Sequence, residues 1–339
     1  MGATLLTTAI AFVAGTIGLA MVSRWLGEYG SAEPNERSNH KRPTPQTGGI
    51  ALVPSWIAAV QLASLAGYAV PVFSTPQFTA AVLVLFVAGI IDDRHSLGAV
   101  AKLLPQFLAA LLAVMALHDT LQSTGTPPWI AAAGAFLMLV VMTNLVNFID
   151  GLDLMAVATV SVPSLFFMLF ALTGVIATGY APAGAALAAC FAVFAFANFP
   201  PARLFLGDGG SLPFGLVIGA MVVIVTVEAG FVAGLLLAGY LLIDGIYTLI
   251  RRMTRLENIF RAHSSHVYQR AFRGGRTVLQ VIGATALFGF VSGAAALAAG
   301  VGGAATKAGA VVVSALAWAL IAGWMLDLRA GKWIGRRQR

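Results

Sequence analysis

Eleven stretches of the 339-residue chain are apolar and close in length to the ~20 residues that cross ~30 Å of hydrocarbon as a helix. They cover residues 3–23, 49–72, 78–91, 99–117, 129–148, 154–178, 183–197, 212–227, 230–250, 278–299 and 308–326. With 59% apolar and only 10% charged residues, too little polar side chain remains to coat a water-facing surface. The fold expected is all-α, a polytopic integral membrane protein with about 11 transmembrane helices in a single domain over 1–339. Segments 78–91 and 183–197 are short, so each is expected to be tilted little, extended by its neighbours or partly re-entrant. The first stretch has no basic residue before it and no small-residue cleavage site, and reads as a retained helix. Leu6 stands where myristoylation wants Ser or Thr. The single cysteine, Cys190, reads as a small core residue.

Basic residues orient the chain. With eleven crossings, the N-terminus outside and the C-terminus cytoplasmic, 19 of the 20 Lys and Arg fall on the cytoplasmic side, leaving only Lys307 outside. The net charge of +7 then needs no nucleic acid to explain it, because anionic lipid headgroups and phosphate substrates suffice.

In that topology Asp92, Asp93, Asp150, Asp153 and Asp208 all lie at cytoplasmic helix ends or in the loops between them. One acid there is an ordinary solvated helix end; five in apolar surroundings ask for a cation. Oxygen ligands of this kind suit Mg²⁺, which keeps several waters and takes phosphate oxygens from a substrate.

The neighbours of these acids also fit phosphate. In LFLGDGGSLPFG, Gly207, Gly209 and Gly210 free the backbone around Asp208, and Ser211 is placed to cap the following helix. A helix N-terminus beside a metal-binding acid is a diphosphate site. In NLVNFIDGLDLMA, Asn144, Asn147 and Asp150 recur every three residues, on a face where they either bond between helices or meet a ligand. Asp150-Gly151 reads as a helix stop and puts Asp153 on a turn, where a carboxylate can accept from a nucleobase imide or a ribose hydroxyl. The basic segment 251–276 spaces Arg261, His263, His266 and Arg270 as donors to a sugar or phosphate; two histidines without a cysteine are too few for zinc.

Four blocks in order, PTPQTGG, AGIIDDRHSLGA with KLLPQ, NLVNFIDGLD, and LFLGDGGS followed by the basic histidine loop, resemble the polyprenyl-phosphate N-acetylhexosamine-1-phosphate transferases. The resemblance spans about Ser38 to Arg270. It implies an Mg²⁺-dependent (or Mn²⁺-dependent) enzyme of the bacterial inner membrane with its site on the cytoplasmic face. The substrates implied are a UDP-N-acetylhexosamine and undecaprenyl phosphate, with UMP released; surrounding membrane lipids and a homodimer are the other implied partners.

By motif, Asp92 and Asp93 match the paired acids where the lipid phosphate attacks. Lys102 matches a lysine at the diphosphate, and Asn147 and Asp208 match metal ligands, Asp208 counting as catalytic too. Asn144, Asp150 and Asp153 match the nucleoside pocket, while Arg261, His263 and His266 match the loop that reads the sugar. Leu154 stands where the family usually has a glycine, and Gln46 and Thr47 where many relatives have Arg and Gly. HSSH in place of a three-histidine run argues against a muramyl-pentapeptide substrate, and SNHKRPTPQTGG looks closer to O-antigen (lipopolysaccharide) and exopolysaccharide initiators. A secondary transporter is the alternative, since acids at membrane depth also mark ion pathways.

Overall fold

The computed structural model describes residues 1–26, 31–32, 44–258 and 264–326. Arg261 and His263 lie outside these described residues. The helices are α1 (Gly2–Trp25), α2 (Gly48–Leu65), α3 (Pro76–His95), α4 (Ala99–Ala116), α5 (His118–Gln122), α6 (Pro128–Ile149), α7 (Met155–Leu172), α8 (Ala181–Ala197), α9 (Asp208–Glu228), α10 (Phe231–Leu237), α11 (Gly239–Thr254), α12 (Val267–Arg273), α13 (Val278–Val301) and α14 (Ala304–Met325). Among the described residues the only strands are β1 (Ser31–Ala32) and β2 (Thr44–Pro45), an antiparallel pair.

Each of the eleven apolar stretches is helical. Among the described residues, nine spans are continuous and long enough to cross a membrane. The two stretches that look short are both extended by their neighbours, one of the expected alternatives. The 78–91 stretch becomes the 20-residue α3, because Pro76 opens the helix at its first turn and the Thr75 hydroxyl accepts from Phe78 N at 3.3 Å. The 183–197 stretch gains a preceding 3-10 turn and spans Thr178–Ala197. The shorter elements are instead α4, and the α10–α11 pair, which bends by 83° at Ala238.

Helix α9 is the axis of the bundle: all its residues from Gly209 to Val225 are buried, packed by α2, α3, α6, α7 and α10. Lipid tails are as apolar as leucine, so no hydrophobic gain drives helices together within a bilayer; close van der Waals contact and small residues do. Gly215 and Gly219 supply that contact on the α6 side, where an added Cβ would come within 2.6 Å of Thr143 Cα and 3.2 Å of Leu139 Cα. The same device, used more severely, builds the site at the N-terminal end of α9.

Candidate active site

The chain reaches α9 through Gly207, whose φ of +74° favours glycine, and a Cβ there would meet Gln46 O at 2.6 Å and Asp93 Oδ2 at 2.7 Å. Before it, residues 45–49 and 205–206 pair like strands: Phe205 N donates to Pro45 O, Gly48 N to Phe205 O, and Gly49 N to Leu206 O, all at 2.8–2.9 Å. Two further glycines bring backbone against backbone. A Cβ on Gly49 would lie 2.3 Å from Gly210 N, and one on Gly89 would lie 2.3 Å from Asp208 O. The start of α9 is therefore clamped between the start of α2 and the last turns of α3.

That clamp corrects the phosphate reading of the glycine-rich block. Asp208 N and Gly209 N donate to the two carboxylate oxygens of Asp93, at 2.8 and 3.0 Å. Gly210 N and Ser211 N both donate to Gly207 O. The first-turn N–H groups are thus satisfied within the protein, and Gly207 is the N-cap, with Ser211 inside the helix. The glycines serve close approach, and Asp93 acts on Asp208 through its backbone.

Around that fixed point polar side chains converge. The Lys102 ammonium pairs with Asp92 Oδ2 and, at 3.2 Å, with Asp208 Oδ2. The other Asp92 oxygen accepts from Leu97 N at 2.6 Å, so both its oxygens are occupied, and the residue is buried. Asn147 Nδ2 donates to Asp208 Oδ1 at 2.7 Å and to Ser211 Oγ at 2.9 Å. The Lys102 and Asp208 side chains remain 32% and 24% exposed, against 5% for Asp92, so these two are what a ligand can reach. Asn144 sits one turn deeper and exchanges hydrogen bonds with Gln106 of α4 at 2.7 and 3.4 Å, which is the interhelical reading of its spacing.

Asp150 ends α6, and burial of its carboxyl pushes its pKa well above the usual carboxylate range. The charges of Asp208, Asp93 and Asp153 add to that shift. Asp153 is on the expected turn, but it is 1% exposed and accepts from Ala202 N at 3.1 Å. Leu154, where the family usually has glycine, takes a left-handed φ of +61°, a conformation costing a non-glycine residue about 1–2 kcal/mol. Asn198 holds it there, accepting from Leu154 N at 2.6 Å while donating to Leu204 O at 2.9 Å. The 150–154 turn is in this way tied to the connector leading to Asp208.

The basic segment is partly helical: α11 runs to Thr254 and α12 opens at His266. Tyr268, fully buried, donates to Phe148 O at 3.2 Å. Only a glycine at 151 admits its hydroxyl, since a Cβ there would lie 2.5 Å away. This brings the start of α12 to the end of α6.

The description "Glycosyl transferase family 4" matches residues 76–226, the stretch from the start of α3 almost to the end of α9 that carries every acid of the cluster. This stretch of the chain is similar to glycosyl transferase family 4. The chain is 29% identical to a Mycobacterium tuberculosis decaprenyl-phosphate N-acetylglucosaminephosphotransferase, covering 92% of the chain and 86% of the relative. It is 26% identical to a probable undecaprenyl-phosphate N-acetylglucosaminyl 1-phosphate transferase of Bacillus subtilis, covering 76% and 74%. To a phospho-N-acetylmuramoyl-pentapeptide-transferase of Shouchella clausii it is 30% identical, over 58% of the chain and 66% of the relative.

Among the described residues no three His, Cys, Asp or Glu side chains are grouped to hold a metal by themselves. A carboxylate, an amide and a hydroxyl at Asp208, Asn147 and Ser211 nonetheless fit Mg²⁺, which commonly uses one or two carboxylates together with substrate phosphates. Gly49, Gly89, Gln106, Asp244 and Tyr268 are the residues that reading by motif left without a role. Gln106 lies in the KLLPQ block itself, and Asp244 is an acid inside an apolar stretch, a signal that marks function in membrane segments.

Proposed function

We propose that the chain is an Mg²⁺-dependent phosphotransferase that moves an N-acetylhexosamine 1-phosphate from a UDP-sugar to undecaprenyl phosphate, releasing UMP. The reaction would start a lipid carrier for cell-surface polysaccharide at the cytoplasmic face of a bacterial inner membrane. The observation that carries the reading is the convergence of Asp92, Lys102, Asn147 and Asp208 at helix ends, with Lys102 and Asp208 open to ligand. The basic residues support a cytoplasmic placement, and the names of the relatives support N-acetylglucosamine as the sugar. The HSSH spacing argues against a muramyl-pentapeptide substrate, and the SNHKRPTPQTGG block favours an O-antigen or exopolysaccharide initiator.

The chemistry is a single displacement. An oxygen of the lipid phosphate bonds to the β-phosphorus of the UDP-sugar, the bond from that phosphorus to the bridging oxygen breaks, and UMP leaves with that oxygen. Lys102 meets the diphosphate and Asp93 fixes Asp208 from behind. Asp208 and Asn147 would hold Mg²⁺, which would supply charge neutralisation at the phosphates. Asp92 is an organiser and no base, because both its oxygens are committed to Lys102 and Leu97 N. A phosphate monoester with a second pKa near ~6 is in any case mostly dianionic at neutral pH. Asp150, Asn144 and Asp153 shape the nucleoside side, and Arg261, His263 and His266 serve the sugar.

Detergent-solubilised protein given radiolabelled UDP-GlcNAc, undecaprenyl phosphate and Mg²⁺ should yield lipid-linked label. Uptake into proteoliposomes with no lipid product would favour the transporter instead. If Asp92→Asn regains near wild-type rate when the pH is raised from about 7 to 9, Asp92 is a base after all.

A further inference from the structure

A helix ends in carbonyls with no N–H ahead of them in the helix. At the end of α6, Val146 O accepts from Asp150 N at 3.2 Å and Ile149 O from Gly151 N at 2.8 Å. Phe148 O, between them, takes its hydrogen from the Tyr268 hydroxyl, 120 residues away in sequence, at 3.2 Å. That hydroxyl accepts in turn from Gln269 Nε2 at 3.1 Å. Tyr268 is fully buried, and its helix is fastened to α11 from behind, where Val267 N donates to Asp244 Oδ1 at 2.8 Å. The phenol is therefore a cap on α6 supplied by a distant and fixed element.

Gly151 makes room for this hydroxyl. It does not have the left-handed φ that calls for glycine, and it is exposed, so the backbone would accept a side chain there. What excludes one is a single atom. A Cβ would lie 2.5 Å from the Tyr268 oxygen, while the next nearest atoms, Gln269 Nε2 and Tyr268 Cζ, stand at ordinary contact distances of 3.5 and 3.6 Å. The turn from Asp150 to Asp153 leaves α6 at this joint, and Asn147, which donates to Asp208, is the residue before Phe148.

We propose that Tyr268 is a positioning residue for the donor substrate: its hydroxyl, capping α6 in the space left by Gly151, sets the 150–153 turn and through it the affinity for the nucleotide sugar, and takes no part in binding the lipid. The inference rests on the proposed function, in which that turn shapes the nucleoside side and the lipid phosphate arrives at Asp92. The buried phenol acts through the turn alone.

Tyr268→Phe removes the one oxygen and keeps the ring. In purified protein the KM for UDP-GlcNAc should rise about 3–10-fold, the scale of one buried hydrogen bond, while the KM for undecaprenyl phosphate stays within about twofold. Gly151→Ala should raise the KM for UDP-GlcNAc further, by about tenfold or more, because the new methyl must push the hydroxyl away. Combining Gly151→Ala with Tyr268→Phe should bring the KM back to that of Tyr268→Phe alone, since the atom that excludes the methyl is gone. Melting temperatures of the three variants should follow the same order.

An unchanged KM for UDP-GlcNAc in Tyr268→Phe, or an equal rise for both substrates, would overturn the proposal. So would a Gly151→Ala defect that Tyr268→Phe does not relieve, which would mean that the glycine is needed for something other than the hydroxyl. Failure of Tyr268→Phe to fold would mark the hydroxyl as a support of the fold and overturn the donor role. Failure of the unsubstituted protein to transfer any sugar phosphate would sink the proposed function and the donor role with it; the melting temperatures, which need no substrate, separate that result from a failure of the joint itself.

Discussion

Helix α9 carries one acid at each end, and the two ends are built differently. At its C-terminal end Glu228 accepts from Ala177 N at 2.8 Å, and nearby the Tyr180 hydroxyl meets Thr120 at 3.2 Å. Those partners close the gap between α5, α7 and α9. At the N-terminal end Asp208 has no backbone N–H of its own to satisfy it. It shares Lys102 with Asp92 and an amide with Ser211, and faces the field of Asp93 and Asp150. An acid satisfied by local backbone tells of packing. Acids crowded together around one lysine are suited to binding a ligand.

The sharpest way to break the contrast is Asp208→Asn, which should reduce transfer by about 10³-fold, the scale on which a charge-stabilising group acts in phosphoryl transfer, while the protein still purifies as a folded species. Activity above about a tenth of wild type, less than 1.4 kcal/mol of barrier, would remove Asp208 from the site. Next comes Gly89→Ala. With Asp208 O at 2.3 Å from the new Cβ, the backbones must separate, and overpacking of this kind costs about 1–3 kcal/mol or more. Thermal denaturation should show the loss and transfer should fall with it; an unaltered melting temperature would mean that the clamp is not tight.

Asp150→Asn tests the crowding itself. The folded pKa of Asp150 is raised above its unfolded value, so its carboxyl favours folding most at low pH, and this contribution is lost as pH rises through the folded pKa. In metal-free protein Asp150→Asn should therefore raise the melting temperature at pH 8 by about 2 °C or more, the gain shrinking as the pH falls towards about 4. A gain that grows with acidity would reverse the assignment. The smallest effect belongs to the far end. Glu228→Gln keeps an acceptor for Ala177 N and should leave transfer rates within about twofold, well under 1 kcal/mol of barrier.

The same contrast explains what could be read from the residues alone. The spans were legible because an apolar run of helical length has few alternatives, and even the α10–α11 stretch was located, though not its bend. The acids were legible because a carboxylate near a bilayer needs a reason. Their partners were not. Asp93 meets α9 across 115 residues of chain, an association made by packing at Gly49 and Gly89, and nothing local marks it. The glycines around Asp208 drew notice for an anion cradle, whereas they allow backbones to touch. Asp153 sits on its turn as expected, and what tertiary structure adds is Ala202 N as its partner.

In the proposed reaction the Asp92–Lys102–Asp208 cluster transfers a sugar phosphate to a lipid phosphate. Purified protein with UDP-GlcNAc labelled in the sugar and in the β-phosphate, undecaprenyl phosphate and Mg²⁺ tests it directly. Both labels should enter one lipid product in step with UMP release, chelation should stop the reaction, and Lys102→Met and Asp208→Asn should each abolish it in folded protein. Lipid product formed at an undiminished rate by those two variants, or no lipid product from the unsubstituted protein across a panel of UDP-sugars, would contradict it.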